Sequence, residues 1–134
     1  MPADVTKVVD GGLDITTNRL IGAGTEPKYI GAGTGTTAAA NGDTGLETPR
    51  NEARIEGTSS RVTTNTTNDS YSVTGTWTCT GTEVALTELA LFDGAGTGTP
   101  PTGANLFLRG TFDVINLKVS NTIIPTIKVV YNQA

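Results

Sequence analysis

Along most of this chain apolar and polar positions alternate with a period of two, the signature of strands that bury one face. The clearest run is residues 71–79, where Tyr71, Val73, Gly75, Trp77 and Cys79 share one side and Ser72, Thr74, Thr76 and Thr78 the other. It predicts a half-buried antiparallel strand in which Trp77 contributes most of the buried area and Gly75 marks a bulge or the close approach of another backbone. The segment Glu83–Phe92, EVALTELALF, also reads as a strand. One of its faces would hold Val84, Leu86, Glu88 and Ala90 and so bury a carboxylate, whereas Ala85, Thr87, Leu89 and Leu91 make a cleaner apolar face opposite.

The same period places strands over most of residues 13–21 (Leu13, Ile15 and Thr17 against Asp14 and Thr16), at Tyr29 and Ile30, from Ala53 through Ile55 to Val62, from Leu106 to Ile115, and from Thr122 to Tyr131. Pro125 lacks a backbone donor and marks an edge or a bulge in the last of these. Residues 1–12 carry Val5, Val8 and Val9 ahead of Asp10, Gly11 and Gly12. They read as an N-terminal arm or edge strand before a hinge, with residues 13–134 as a single domain. About seven to nine short strands joined by Gly-rich turns predict an all-β fold, an antiparallel β-sandwich, whose edges need covering by charge, by proline or by a partner.

The stretch that joins the two β-rich halves runs from Lys28 through Tyr29 and Ile30 into Gly31, Gly33 and Gly35, then past Thr36, Thr37 and Asn41 to Pro49 and Arg50. Alternating glycines let a backbone lie close against something else, and the threonine hydroxyls can satisfy loop amides. It is not a nucleotide loop. A dinucleotide fingerprint needs glycine where Thr36 stands, and a phosphate loop needs Gly and Lys where Thr36 and Thr37 stand. The tetrapeptide GAGT recurs at Gly22, Gly31 and Gly94 at unequal intervals, which gives three similar turns and no repeat architecture.

Composition narrows the function classes further. The 134 residues suit one domain; threonine is the commonest residue, glycine counts 17, and only 16% of positions are charged. A net charge of −4 leaves no basic footprint for nucleic acid or an anionic membrane. There is no histidine, so the commonest general base and metal ligand are both missing. Cys79, the single cysteine, reads as a buried structural thiol. No signal-like leader and no apolar run near the 20 residues of a membrane span is seen, so synthesis outside the secretory route is expected, and the sequons at Asn65 and Asn68 read as chance.

Thirteen acidic residues offer carboxylate pairs such as Asp10 with Asp14 and Glu83 with Glu88. No spacing forces two of them to catalytic distance, so they read as solvated charge and no enzyme activity is expected. Asn41 with Asp43, or Asp10 with Asp14, could offer oxygen ligands to calcium, yet no run matches an EF-hand loop, and no metal or cofactor is assigned.

The order Tyr29, Ile30, Gly31, Gly33, Thr34, Gly35, Thr36, Thr37, followed by Asp43, Thr44, Leu46, Glu47 and then Arg50 or Arg54, resembles small virion structural proteins of tailed bacteriophages. So do the Thr-rich strand, the Leu91, Phe92, Asp93 segment with its Gly-rich turn, the LFLRGTF segment at 106–112 and the amphipathic final strand. Ala90 stands where members often carry glycine. The resemblance covers roughly residues 28–131 and implies a head-decoration (cement), tail-fibre or baseplate component. It implies a protein that binds the outer capsid lattice, with the major capsid protein and further copies of itself, as a trimer, for partners, and the capsid surface of the virion for its location. The contact residues expected on this reading are Val5, Val8 and Val9 of the arm, with Tyr29, Arg50 and Arg54 beside the central loop. A carbohydrate-binding sandwich that stacks sugars on Tyr71 and Trp77 is the alternative from another class.

Overall fold

The computed structural model describes residues 5–133. Among these, ten strands form antiparallel sheets of five, three and two strands, with one helix. The predicted all-β sandwich-like fold is what the chain adopts.

In chain order the elements are β1 (Val5–Val8), α1 (Asp10–Leu20), β2 (Tyr29–Gly33), β3 (Ile55–Glu56), β4 (Thr58–Val62), β5 (Ser70–Thr74), β6 (Trp77–Thr78), β7 (Val84–Phe92), β8 (Leu106–Leu117), β9 (Thr122–Ile123) and β10 (Thr126–Val130). The large sheet has the order β1-β8-β7-β2-β3, and the smaller ones β10-β5-β4 and β6-β9. Of the two readings of the first segment, its described part is the edge strand: β1 pairs with β8, Val8 opposite Leu108. Residues 1–4 of the expected arm and the side chain of Val5 lie outside the described part.

The register of the large sheet aligns Val8, Leu108, Leu91, Ile30 and Ile55 in one row across all five strands. With alternating side chains that row points to one face, and it packs against Val73, Ile127 and Val129 of the three-stranded sheet. Trp77, Cys79, Leu86 and Leu117 extend the core toward the two-stranded sheet. Trp77 is 1% exposed, and burying so large a ring contributes about 3 kcal/mol or more. The chain passes between the sheets at Gly57, and the strand expected over 71–79 is split there too: a Cβ on Gly75 would lie 3.1 Å from the Ile30 and Ile55 Cδ1 atoms. Pro125 interrupts the last strand between β9 and β10, leaving β10 as an edge.

One expectation fails outright. Residues 13–21 form no strand but most of α1, whose buried positions are Gly12 and Ile15. The three-residue step between them fits a helix face, and Leu13, expected to share a strand face with Ile15, is 60% exposed. Gly12 lets the helix backbone lie on β8, since a Cβ there would collide with the Phe107 carbonyl oxygen. The C-terminus closes by paired bonds: Gly22 N donates to Arg19 O (3.1 Å) and Ala23 N to Asn18 O (2.8 Å), with Gly22 at φ +76°. This is the Schellman arrangement, for which a glycine at that position is the sequence signal.

Candidate functional site

The outer face of the large sheet, opposite the inter-sheet core, is covered by the central loop. The loop leaves β2 at Gly33 and returns beside it: Thr34 N donates to Thr48 O (2.9 Å) and Arg50 N to Ala32 O (3.0 Å). The alternating glycines allow this close packing. A Cβ on Gly35 would fall 2.5 Å from the Glu47 Cβ and 2.6 Å from Glu88 Oε2, and one on Gly33 would collide with Thr48 O.

Under the loop lies an ion pair that sequence reading did not foresee. Glu88 of β7 is 0% exposed and Arg109 of β8 is 2% exposed. Arg109 Nε and Nη2 reach Glu88 Oε2 at 2.9 and 2.8 Å, Nη1 reaches Asp43 Oδ2 at 3.0 Å, and Nη2 also donates to Thr37 O at 2.9 Å. The Glu88 carboxylate in turn accepts the backbone N–H groups of Glu47 (3.1 Å) and Thr48 (2.9 Å). Burial opposes the charge on Arg109, but its bonds to Glu88 and Asp43 outweigh that and raise its pKa above the ordinary value. Among the described residues no buried side-chain nitrogen or oxygen lacks a partner, so the pair meets the condition under which a buried charge is tolerated. Glu47 completes the fastening by accepting the N–H groups of Thr36 (2.8 Å) and Thr37 (3.1 Å); the Thr37 side chain foremost, with these N–H groups, holds its carboxyl below the usual range.

Two more arginines fasten neighbouring loops. Arg50 forks onto Glu52 (Nε 3.1 Å, Nη2 3.0 Å) and donates to Thr80 O and Thr82 O at 3.2 and 2.9 Å. Arg54 stacks 3.4 Å from the Phe92 ring centre and donates to Gly94 O and Gly103 O at 3.2 and 2.8 Å. Burial lowers the Arg54 pKa, yet it stays well within the protonated range.

The expected contact residues are therefore spread out. Arg50 and Arg54 spend their donors within the chain. Val9 is fully buried in the outer-face cluster with Ala90, Phe92 and Leu106, Tyr29 is half-buried beside it, and Val8 packs on the main core. Glu88 corrects the expectation of solvated carboxylates, whereas its sequence neighbour Glu83 is exposed. Asp43, a suggested calcium ligand, is engaged by Arg109 and by Ala40 N (2.9 Å). Among the described residues no group of three or more His, Cys, Asp or Glu is placed to hold a metal ion. Buried Trp77 has no ring face for a sugar, and the Tyr71 hydroxyl donates to Pro27 O at 2.8 Å. Burial and the neighbouring Glu26 charge push that phenol upward.

A second fastened turn yields a pH expectation. The Asp69 carboxylate accepts the N–H groups of Thr66, Thr64 and Asn65, each at 2.9 Å, and these bonds, that from Thr66 foremost, hold it far below the usual carboxylate range. A depressed folded-state pKa contributes stability above the unfolded value and loses it as pH falls toward the folded one. The urea-midpoint difference between wild type and Asp69→Asn is accordingly expected to be constant from about pH 7 to pH 5 and to shrink below about pH 4. A difference independent of pH down to about pH 2 would contradict this.

Several large apolar side chains stay exposed. Leu13, Leu20 and Ile21 of the helix are 60%, 80% and 79% exposed, and Val114, Ile115, Val119 and Ile124 are 40–69% exposed. No protein-family model, curated protein or solved structure matches the chain. No helix among the described residues is long and apolar enough to cross a membrane.

Proposed function

We propose that the protein is an adhesive structural subunit, a decoration protein that attaches to the outside of a phage capsid lattice and ties adjacent capsomers together. The observation that carries the adhesive part is the contrast, among the described residues, between a body whose buried charges are all spent internally and a surface with eight exposed large apolar side chains. Exposed apolar area of this kind marks interaction surfaces. The capsid part rests on the sequence resemblance around the central loop and the LFLRGTF segment; in the structure those stretches are the covered outer face and β8. Fastening through Glu88, Arg109, Arg50 and Arg54 suits a part that must hold its shape under load, since a preorganised surface loses little entropy on docking. Binding several subunits through modest footprints gives avidity without a strong single contact, and a trimer at a local threefold position is the natural form.

Purified protein is expected to add stoichiometrically to expanded capsids lacking it and to raise their melting temperature. Protein that stays in solution beside such capsids while joining isolated tails would replace this reading with a tail component.

A further inference from the structure

The glycines of the central loop play different parts. Gly33 and Gly35 are required by packing, but Gly42 is not: a Cβ on it would meet nothing within 4 Å, and its φ lies outside the left-handed region. It follows Asn41, and no other asparagine of the chain precedes a glycine. The two residues are the exposed centre of a turn closed by Asp43 N donating to Ala40 O (3.1 Å). Among the described residues neither the Asn41 side chain nor the Gly42 N–H has a hydrogen-bond partner. An unengaged side-chain amide thus stands next to a backbone nitrogen that no side chain shields. The turn is held by the Asp43 bond and by Asp10 N donating to Asn41 O (2.8 Å), both outside the strands, so its rearrangement needs only a local opening.

We propose that Asn41–Gly42 is a self-modification site whose isoaspartate product loosens the fastening of the central loop through Asp43. The Gly42 nitrogen, deprotonated by hydroxide, attacks the Asn41 side-chain carbonyl carbon; the new N–Cγ bond replaces the Cγ–Nδ2 bond, and ammonia leaves with a proton from water. One water then opens the succinimide ring. Breaking the Cγ–N bond gives aspartate on the original main chain, and breaking the bond from the Asn41 backbone carbonyl carbon to nitrogen gives isoaspartate. The net change is an amide and water going to an acid and ammonia. Isoaspartate lengthens the main chain between Ala40 and Asp43 by one methylene. The turn bond to Ala40 O, and the reach of Asp43 Oδ2 to both Ala40 N (2.9 Å) and Arg109 Nη1 (3.0 Å), fit a chain of ordinary length, so the longer one gives up part of this set. The proposal goes beyond the adhesive reading, and no capsid enters its test, so either can fail alone.

The test is to age the folded protein at mildly alkaline pH and follow each asparagine by peptide mapping in a mass spectrometer. Asn41 is expected to convert to aspartate and isoaspartate ahead of every other asparagine, faster as pH rises. Gly42→Ala should keep the urea midpoint of wild type, given the open space around Gly42. It should also slow the conversion at least about tenfold, because a side chain on the attacking residue narrows the backbone rotation that ring closure needs. In the purified isoaspartate form the Ala40 and Asp43 amides should lose exchange protection while those of Val73 and Leu91 in the inter-sheet core keep theirs. Asn41→Asp, which carries the charge on an unchanged main chain, should keep all four. An Asn41 that outlasts the other asparagines, a Gly42→Ala variant that converts as fast as wild type, an isoaspartate form with Ala40 and Asp43 still protected, or the same loss in Asn41→Asp would each overturn the proposal.

Discussion

Replacing Arg109 with methionine is expected to lower the free energy of unfolding by about 3–5 kcal/mol, the cost of leaving a buried charge without its partner. Glu88 would keep the amides of Glu47 and Thr48 but lose the Arg109 cation that pairs with it, at a position with no solvent access. For a domain of this size that corresponds to roughly 10–20 °C in Tm. Glu88→Gln should cost less, because Arg109 would still hold Asp43 at 3.0 Å and Thr37 O at 2.9 Å. Methionine at 109 combined with glutamine at 88 should be less destabilising than Arg109→Met alone, since the uncompensated carboxylate is gone. Urea midpoints of the three variants and wild type measure this cycle. Equal losses from Glu88→Gln and Arg109→Met, with the double variant at their sum, would show that the two side chains act independently. Amide exchange gives a second readout: Thr34, Thr36, Thr37, Glu47 and Thr48 should lose protection in Arg109→Met more than the inter-sheet core does, as the loop alone depends on the pair.

How much of this was readable beforehand follows from what alternation can and cannot encode. It placed β7 correctly, but neither alternating set is buried as a whole: a register shift between Leu86 and Glu88 leaves Val84 and Leu86 in the inter-sheet core, along with Leu91, and Glu88 and Ala90 on the outer face. By alternation alone Ala85, Thr87, Leu89 and Leu91 make the cleaner apolar face, because a carboxylate in a core looks unfavourable in isolation. The missing information was the partner. Arg109 interrupts the apolar stretch Leu106, Phe107, Leu108 much as Glu88 interrupts β7, and two lone opposite charges in two apolar strands are a joint signal that neither gives singly. Register hides it, since the 13-residue connection from Asp93 to Asn105 does not fix which residues meet. The central loop was legible for the same local reason that makes it fold: glycines at every second position of β2 and just beyond mean a covered face. The roles of Arg50 and Arg54 were not legible. Each reaches carbonyls about 30 to 49 positions away in sequence, and no spacing rule reports such contacts.

Helix α1 escaped because Leu13, Ile15 and Thr17 satisfy a period of two while Gly12 and Ile15 satisfy a helical one, and two adjacent glycines argue against a helix on propensity. Docking overrides propensity, which yields the second large effect. In a solvent-exposed helix Gly→Ala stabilises by about 1 kcal/mol; Gly12→Ala should instead destabilise by about 2 kcal/mol or more, a loss of the size that overpacking a core brings. The added Cβ would meet the Phe107 carbonyl oxygen, and the Val8 Cγ1 atom at 2.7 Å, so neither backbone nor a core side chain can yield cheaply. Gly11→Ala is the internal control. It lies one position along the same helix, exposed, with its nearest neighbour, Leu106 O, 3.0 Å from the added atom, and its change should be markedly smaller. If urea unfolding found Gly12→Ala as stable as wild type, the helix would not be seated on β8 as described. The open apolar groove of about 570 Å3 that α1 forms with Tyr71, Phe107 and Tyr131 would then lose its wall, because Ile15 and Leu20 are carried there by the contact that Gly12 permits.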